Sequence, residues 1–233
     1  MDLSYSFIVG AGWFSDEKGV TLMGQKTNNH QLQYGGTRNT GFSKTWFDCI
    51  LQLQQLPVKI FIADADSIDP LHTDVLRHPL VTVSKQTQNF GHGSFCESQN
   101  ILCGWARGVL NGAMYAYTNS SDYFVYIEQD VQMVGKNIVH EIICHMKHVN
   151  KPICFGGGDE TPQKLQQSLF VVSHDYLPTF MSRLILYNNN RCTEEHKYWQ
   201  CFKDDLTFLP FRGGRQRKFL RQDVCYWQHR GKP

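Results

Sequence analysis

The chain has 233 residues, of which 41% are hydrophobic and 13% aromatic, and its formal net charge is +2 at pH 7. This composition supports a full hydrophobic core and excludes a disordered chain or a fibrous repeat. Because the charge is nearly neutral, no global field favours a polyanion, and a nucleic-acid partner is not expected.

Targeting and redox features indicate a cytoplasmic protein. No run reaches the roughly 18 apolar residues that a transmembrane segment needs. The first residues, Met1 to Ser4, carry no basic charge, so a secretory signal is not expected. None of the eight cysteines forms a Cys-x-x-Cys pair, which disfavours a zinc ribbon. Several lie in apolar patterns, as expected of reduced thiols.

Strand and helix patterns alternate along the first third of the chain. Residues 5–13 predict a first strand that ends in glycine, followed by a long polar loop over about 15–41. Ser43 is placed to cap a helix whose apolar residues recur at helical spacing. Residues 58–63 and 80–83 then predict two short strands.

The middle of the chain predicts a buried strand between two helices. Ser94 and Glu97 have capping-box spacing, and the helix that they open is expected to extend to about Tyr117. The apolar run 123–127 is typical of a central parallel strand buried on both faces. A further helix begins at Asn137.

The last third predicts two more strands, at 153–155 and 169–172, and a helix that ends near Leu186. From Asn188 onward the chain is expected to be irregular and polar. This alternation predicts one α/β domain, with a mostly parallel central sheet and helices on both faces.

Acidic residues follow two of the predicted strands. Asp64 and Asp66 come after the second strand, and Glu128 and Asp130 come after the central one. Alternate residues of an extended segment point the same way, so each pair is expected to face one ligand. Carboxylate oxygens suit Mg²⁺ or Mn²⁺. The alternative is that they are solvated loop residues.

Three motifs follow one another in a specific order. Residues 64–69 end one strand, Asn89-Phe90-Gly91 precedes a helix, and Glu128-Gln129-Asp130 follows the central strand. In this order they resemble the motifs of GT-A-fold glycosyltransferases, most closely the family 2 type. The resemblance covers about residues 5–200 as scattered motifs.

The resemblance implies a single GT-A-like (Rossmann-like) domain. A nucleotide-binding half is expected over about 1–120, and a metal and acceptor half over about 121–233. The implied activity belongs to carbohydrate biosynthesis. It is the Mn²⁺- or Mg²⁺-dependent transfer of a sugar from a nucleotide sugar donor, UDP-linked, to a hydroxyl of a glycan or glycoprotein acceptor.

The same resemblance implies roles for particular residues. Asp130 is expected to bind the metal, with Glu128 and His229 as further ligands. The acidic pair Glu194-Glu195 is expected to supply the catalytic base, with Glu195 preferred. The residues expected to contact the nucleotide sugar are Gly10, Ala11, Asp64, Asp66, Asn89, Gly91, Glu128 and Gln129.

Other interpretations stay open. The sequence lacks the Pro-x-Tyr-Asn segment of the family after the first strand and has Gly10-Ala11-Gly12-Trp13 in its place. A catalytically silent carbohydrate-binding or scaffold protein could keep the same fold, and a nucleotidyltransferase could use a related sheet. The basic residues between Arg212 and Arg221 are compatible with diphosphate binding, with a solvated face or with RNA binding.

Overall fold

The computed structural model describes residues 5–16, 40–89, 102–157, 165–187 and 192–210, and the backbone of 213–214 and 226–229. The described strands are β1 Phe7–Trp13, β2 Lys59–Asp64, β3 Val81–Lys85, β4 Tyr123–Ile127, β5 Val131–Val134, β6 Ile153–Gly157, β7 Leu165–Ser173, β8 Leu206–Phe208, β9 Gly213–Gly214 and β10 Tyr226–His229. The described helices are α1 Thr40–Leu51, α2 Thr73–Leu76, α3 Gly104–Thr118, α4 Ile138–His148, α5 Leu177–Leu186 and α6 Glu194–Phe202.

Seven strands form the central sheet, in the order β3-β2-β1-β4-β7-β6-β8. All are parallel except β7, which pairs antiparallel with both β4 and β6. A second sheet has the order β5-β10-β9. The predicted central place of β4 and the mostly parallel sheet are confirmed.

Helices cover both faces of the large sheet, as the sequence predicts. Phe7, Val9 and Ala11 of β1 point into a core that includes α1 and α4. Ile8 points into the opposite core, which includes α3, α5 and α6. The apolar strands are buried on both sides because the helices sandwich them, which is typical of parallel sheets.

Glycines let β1 and α3 approach closely. A Cβ on Gly108 would lie 2.9 Å from the Cα of Gly12, and one on Gly112 would lie 3.1 Å from the Phe124 ring. A Cβ on Gly10 would overlap Cε2 of Phe124, whose side chain is fully buried. Gly10 therefore serves the packing of the strand against the helix.

We expect Gly10→Ala to lower the free energy of unfolding by about 1–3 kcal/mol, because the added methyl group overpacks a filled core. Urea denaturation measures the loss. Gly157→Ala is the matched control, since its Cβ would meet only ordinary contacts of 3.6 Å or more with Phe208. Equal stability of both variants and the wild type would contradict this account of Gly10.

Several predicted boundaries are wrong for local reasons. Helix α1 begins at Thr40, and Ser43 lies inside it, donating its hydroxyl to the Thr40 carbonyl at 2.6 Å. The helix expected from Ser94 begins at Gly104 with Cys103 as its N-cap, and Leu102 precedes it. Ser94 itself lies outside the described residues.

The segment after Asn188 is not irregular throughout. It contains α6, whose N-cap is Thr193, and the short strand β8, which extends the large sheet. Within the residues that the structure describes, no helix is long and apolar enough to cross a membrane.

Candidate functional site

The acidic residues that follow β2 and β4 lie at one edge of the sheet. Strands β2, β1 and β4 are adjacent and parallel, so their carboxyl ends meet there. Asp64 is the last residue of β2, and Glu128 comes directly after β4. In open α/β sheets this edge is where ligands bind.

Gln129 fastens the turn after β4 to the end of β1. The amide nitrogen of Phe14 donates to Gln129 Oε1 at 2.6 Å, and Gln129 Nε2 donates to the Phe14 carbonyl at 3.1 Å. The side chain of Gln129, expected to contact the nucleotide sugar, is thus engaged by the backbone. It fixes the position of the neighbouring Asp130.

The segment from Glu128 to Asp130 is a turn, whereas the sequence predicts an extended segment. The amide of Val131 donates to the Glu128 carbonyl at 3.0 Å. Asp130 is only 3% exposed, whereas Glu128 is half-buried. Burial raises the pKa of Tyr126 well above its usual value, and the charges of Glu128 and Asp130 add to that rise.

The two aspartates after β2 have different environments. Asp64 is buried, and its Oδ1 accepts the amide of Ser67 at 2.9 Å, which closes the loop. Ser67 in turn accepts the amide of Ser15, after β1, at 3.0 Å. Asp66 is exposed and has a positive φ of 60°. Asp64 thus shapes the loop, and Asp66 presents its carboxylate at the rim.

The donor atoms at the end of β4 fit a hard divalent cation. Asp130 and Glu128 supply carboxylate oxygens, which Mg²⁺ and Mn²⁺ prefer, and such ions commonly take their other ligands from phosphate and water. The backbone of His229 in β10 pairs with Val131, next to Asp130. In the described part of the chain, no group of three or more His, Cys, Asp or Glu residues could hold a metal ion.

Glu194 is buried at the start of α6. It is 2% exposed, and the Cys103 thiol at the start of α3 donates to Glu194 Oε1 at 3.2 Å. Glu195, the preferred base in the sequence argument, is half-buried. Of the pair, Glu194 is the one that faces a buried cluster.

The sequence analysis did not identify four further side chains of that cluster, which belong to Trp105, Tyr126, Lys197 and Tyr198. On α6, Glu194 shares one buried face with Lys197 and Tyr198, which are three and four residues further on. The Trp105 ring lies 5.2 Å from Tyr198 and 5.5 Å from Tyr126, between centroids. The signal in the sequence is the i, i+3, i+4 spacing, which puts a carboxylate, an amine and a phenol on one side of a helix.

The remaining predicted residues are partly inside the core and partly outside the described residues. Gly10 and Ala11 lie within β1, fully buried or packed against α3, and not in the loop that follows the strand. Asn89 is half-buried, a few residues after β3. Gly91, the side chain of His229 and the basic residues from Arg212 to Arg221 lie outside the described residues.

The comparisons with known proteins identify the fold. No family model and no curated protein matches the sequence. A solved structure of the mannosyltransferase PcManGT from Pyrobaculum calidifontis, in complex with GDP-Man and Mn²⁺, has a TM-score of 0.56 and 11% identity. The match covers 96% of this chain and 57% of that one. The apo structure of the bifunctional glycosyltransferase WbbM has a TM-score of 0.50 and 10% identity, over 92% of this chain and 40% of that one.

The chain has a GT-A-like fold. It spans a little over half the length of PcManGT. Within the GT-A-like fold, the carboxyl edge of β2, β1 and β4 brings together the Glu128–Asp130 turn and the exposed Asp66. Helices α3 and α6 meet at the Cys103–Glu194 contact, and the Trp105 ring joins that contact to Tyr126 in β4.

Proposed function

We propose that the protein is a metal-dependent glycosyltransferase that moves a sugar from a nucleotide diphosphate sugar to an acceptor hydroxyl. The observation that supports the proposal is the presence of two acidic groups in the part of the fold around β4. One is the Glu128–Asp130 turn, and the other is the buried Glu194. A UDP-linked sugar as the donor and a glycan or glycoprotein as the acceptor are part of this proposal.

The proposed metal ligands are Asp130 and Glu128, with His229 as a further ligand. The pairing of the His229 backbone with Val131 supports its inclusion. A bound Mn²⁺ or Mg²⁺ supplies Lewis-acid stabilisation of the negative charge on the diphosphate. Asp130 suits this role because Gln129 fastens its turn to β1, so its carboxylate is held in a fixed position.

Glu194 is the proposed base of an inverting transfer. Its carboxylate takes the proton of the acceptor hydroxyl while the acceptor oxygen forms a bond to the anomeric carbon. The bond between that carbon and the phosphate oxygen breaks at the same time, and the nucleoside diphosphate leaves. One Glu194 oxygen accepts the hydrogen of the Cys103 thiol, and the other is buried and has no hydrogen-bond partner among the described residues.

A thermal-shift panel of nucleotide sugars, each with Mn²⁺, with Mg²⁺ or with a chelator, tests the proposal. Binding to the native state should raise the melting temperature by mass action, and only in the presence of metal. A parallel assay measures release of the nucleoside diphosphate. Binding without release would support a silent carbohydrate-binding protein. Pyrophosphate release from a nucleoside triphosphate and a sugar phosphate would indicate a nucleotidyltransferase.

We expect Asp66→Asn to weaken binding of the nucleotide sugar about tenfold, because a hydrogen bond to a charged group is lost. Asparagine tolerates the positive φ of residue 66, so the free energy of unfolding should change by less than about 0.5 kcal/mol. Titration calorimetry measures the affinity. Asp69→Asn, further along the same loop, is the control, and unchanged affinity in Asp66→Asn would remove this residue from the donor site.

A further inference from the structure

The Cys103 thiol occupies a junction between two helices. Its sulfur accepts the amide of Ala106 at 3.4 Å, which caps α3, and its hydrogen is donated to Glu194 Oε1 at 3.2 Å. Glu194 is itself the first residue of α6. One thiol therefore links the start of α3 to the carboxylate at the start of α6.

The thiol remains a donor across the physiological pH range. Burial and the negative charge of Glu194 raise the pKa of Cys103 far above its usual value. A thiolate at this position would have no proton to donate and would repel the carboxylate. Cys103 thus suits the role of a permanent, though weak, hydrogen-bond donor.

The carboxylate has one engaged oxygen and one that no described residue binds. Oε1 accepts from Cys103, and Oε2 is buried without a hydrogen-bond partner among the described residues. A buried oxygen without a hydrogen bond lowers the stability of the fold unless a ligand or a water molecule donates a hydrogen bond to it.

The other titratable groups around Glu194 come from three elements. Tyr198, Lys197 and Cys201 lie on α6 itself, and Tyr126 lies on β4. On α5, Arg183 is bound to Asp205 at 2.6 Å. In the described part of the chain, the hydrogen bond to the Glu194 carboxylate comes from the Cys103 thiol and not from any of these groups.

We propose that Cys103 is a positioning residue, whose thiol holds Oε1 of the Glu194 carboxylate and so fixes the direction of Oε2. The proposal rests on the proposed function for its catalytic consequence. Without this hydrogen bond, we expect the carboxylate to turn more freely.

Infrared spectroscopy tests the bond without any enzymatic activity. The difference spectrum between wild type and Cys103→Ala isolates the S–H stretching band of Cys103, which we expect at lower frequency than that of Cys154. Cys154 is the matched control because it is equally buried, in β6, on the opposite face of the sheet. Glu194→Gln should move the Cys103 band and leave the Cys154 band in place. The proposal would be overturned if the Cys103 band had the same frequency as the Cys154 band and did not move in Glu194→Gln.

The separate effects on kcat and KM test the catalytic consequence. In Cys103→Ala, kcat should fall about three- to tenfold, because a weak hydrogen bond that holds the carboxylate is lost. The KM for the nucleotide sugar should stay unchanged, and Cys103→Ser, which keeps a donor, should restore kcat. Thermal unfolding of both variants, beside Cys154→Ala, reports any general loss of stability.

The outcomes separate the two proposals. An unchanged kcat in Cys103→Ala overturns the positioning role, even if the infrared spectra show the hydrogen bond. If the wild type releases no nucleoside diphosphate from any nucleotide sugar, the proposed function fails and the positioning role fails with it. The infrared result then still reports whether the thiol binds the carboxylate.

Discussion

Replacing Asp130 by Asn is expected to lower turnover about 10²–10³-fold, because a metal-held charge contributes several kcal/mol to the transition state. The substitution keeps the shape of the side chain and removes its charge. Asp130 is 3% exposed and follows a strand that is buried on both faces, so the backbone holds the carboxylate in one direction. Binding of Mn²⁺ and of the nucleotide sugar should weaken together.

Calorimetric titration with Mn²⁺ in the presence of UDP, and turnover in excess chelator, measure this effect. Asp48→Asn is the control, since its carboxylate forms a surface ion pair with Lys44 on α1, and such pairs contribute little. Glu128→Gln should have a smaller effect than Asp130→Asn. Full activity of the wild type in chelator, or of Asp130→Asn without added metal, would show that this turn does not bind a metal.

The sheet and its ligand-binding edge were predictable because they depend on local patterns. The apolar run of β4 is typical of a strand buried on both faces, and the acidic residues after it then fall at its carboxyl end. The order of the acidic motifs identified the GT-A-like fold, although the identity to solved structures is only about a tenth. The hydrophobic periodicity and the order of the motifs can thus be recognised even at this low sequence identity.

The details of the site depended on tertiary register and could not be predicted. Gln129 was expected to contact the nucleotide sugar, and the alignment of β1 beside β4 brings its side-chain amide to the backbone of Phe14. Gly10 was expected to contact the nucleotide sugar as well, and α3 approaches β1 at that position. In each case the partner is about a hundred residues away in the sequence, so no local pattern could reveal it.

Helix α6 was missed for a different reason. Its mean composition is polar, and a polar segment late in a chain is typical of irregular structure. Its buried face consists of Glu194, Lys197, Tyr198 and Phe202, so the face that would normally be apolar carries ionisable groups. A charged residue on the buried face of a helix is costly unless it is paired or functional. Charged residues on the face of a helix that is expected to be buried therefore indicate a functional site.

Replacing Glu194 by Gln is expected to reduce turnover about 10²–10⁴-fold, the range that general acid–base groups contribute. The amide cannot accept the acceptor proton, yet it has the size of the carboxylate and can still accept the Cys103 thiol, so the fold should be retained. Affinity for the nucleotide sugar and Mn²⁺ should stay unchanged. Single-turnover measurements separate this loss of chemistry from donor binding.

The comparison with Glu195→Gln decides which residue of the pair is the base. Glu195 is half-buried one position later, about 100° around the helix from Glu194, and we expect its loss to have the smaller effect. Glu141→Gln is the matched control, because Glu141 is an exposed glutamate in the first turn of α4. A large loss in Glu195→Gln alone would transfer the role to that residue. Normal rates in both Glu194→Gln and Glu195→Gln would remove the pair from the chemistry, and the proton would then have to leave by a group outside α6.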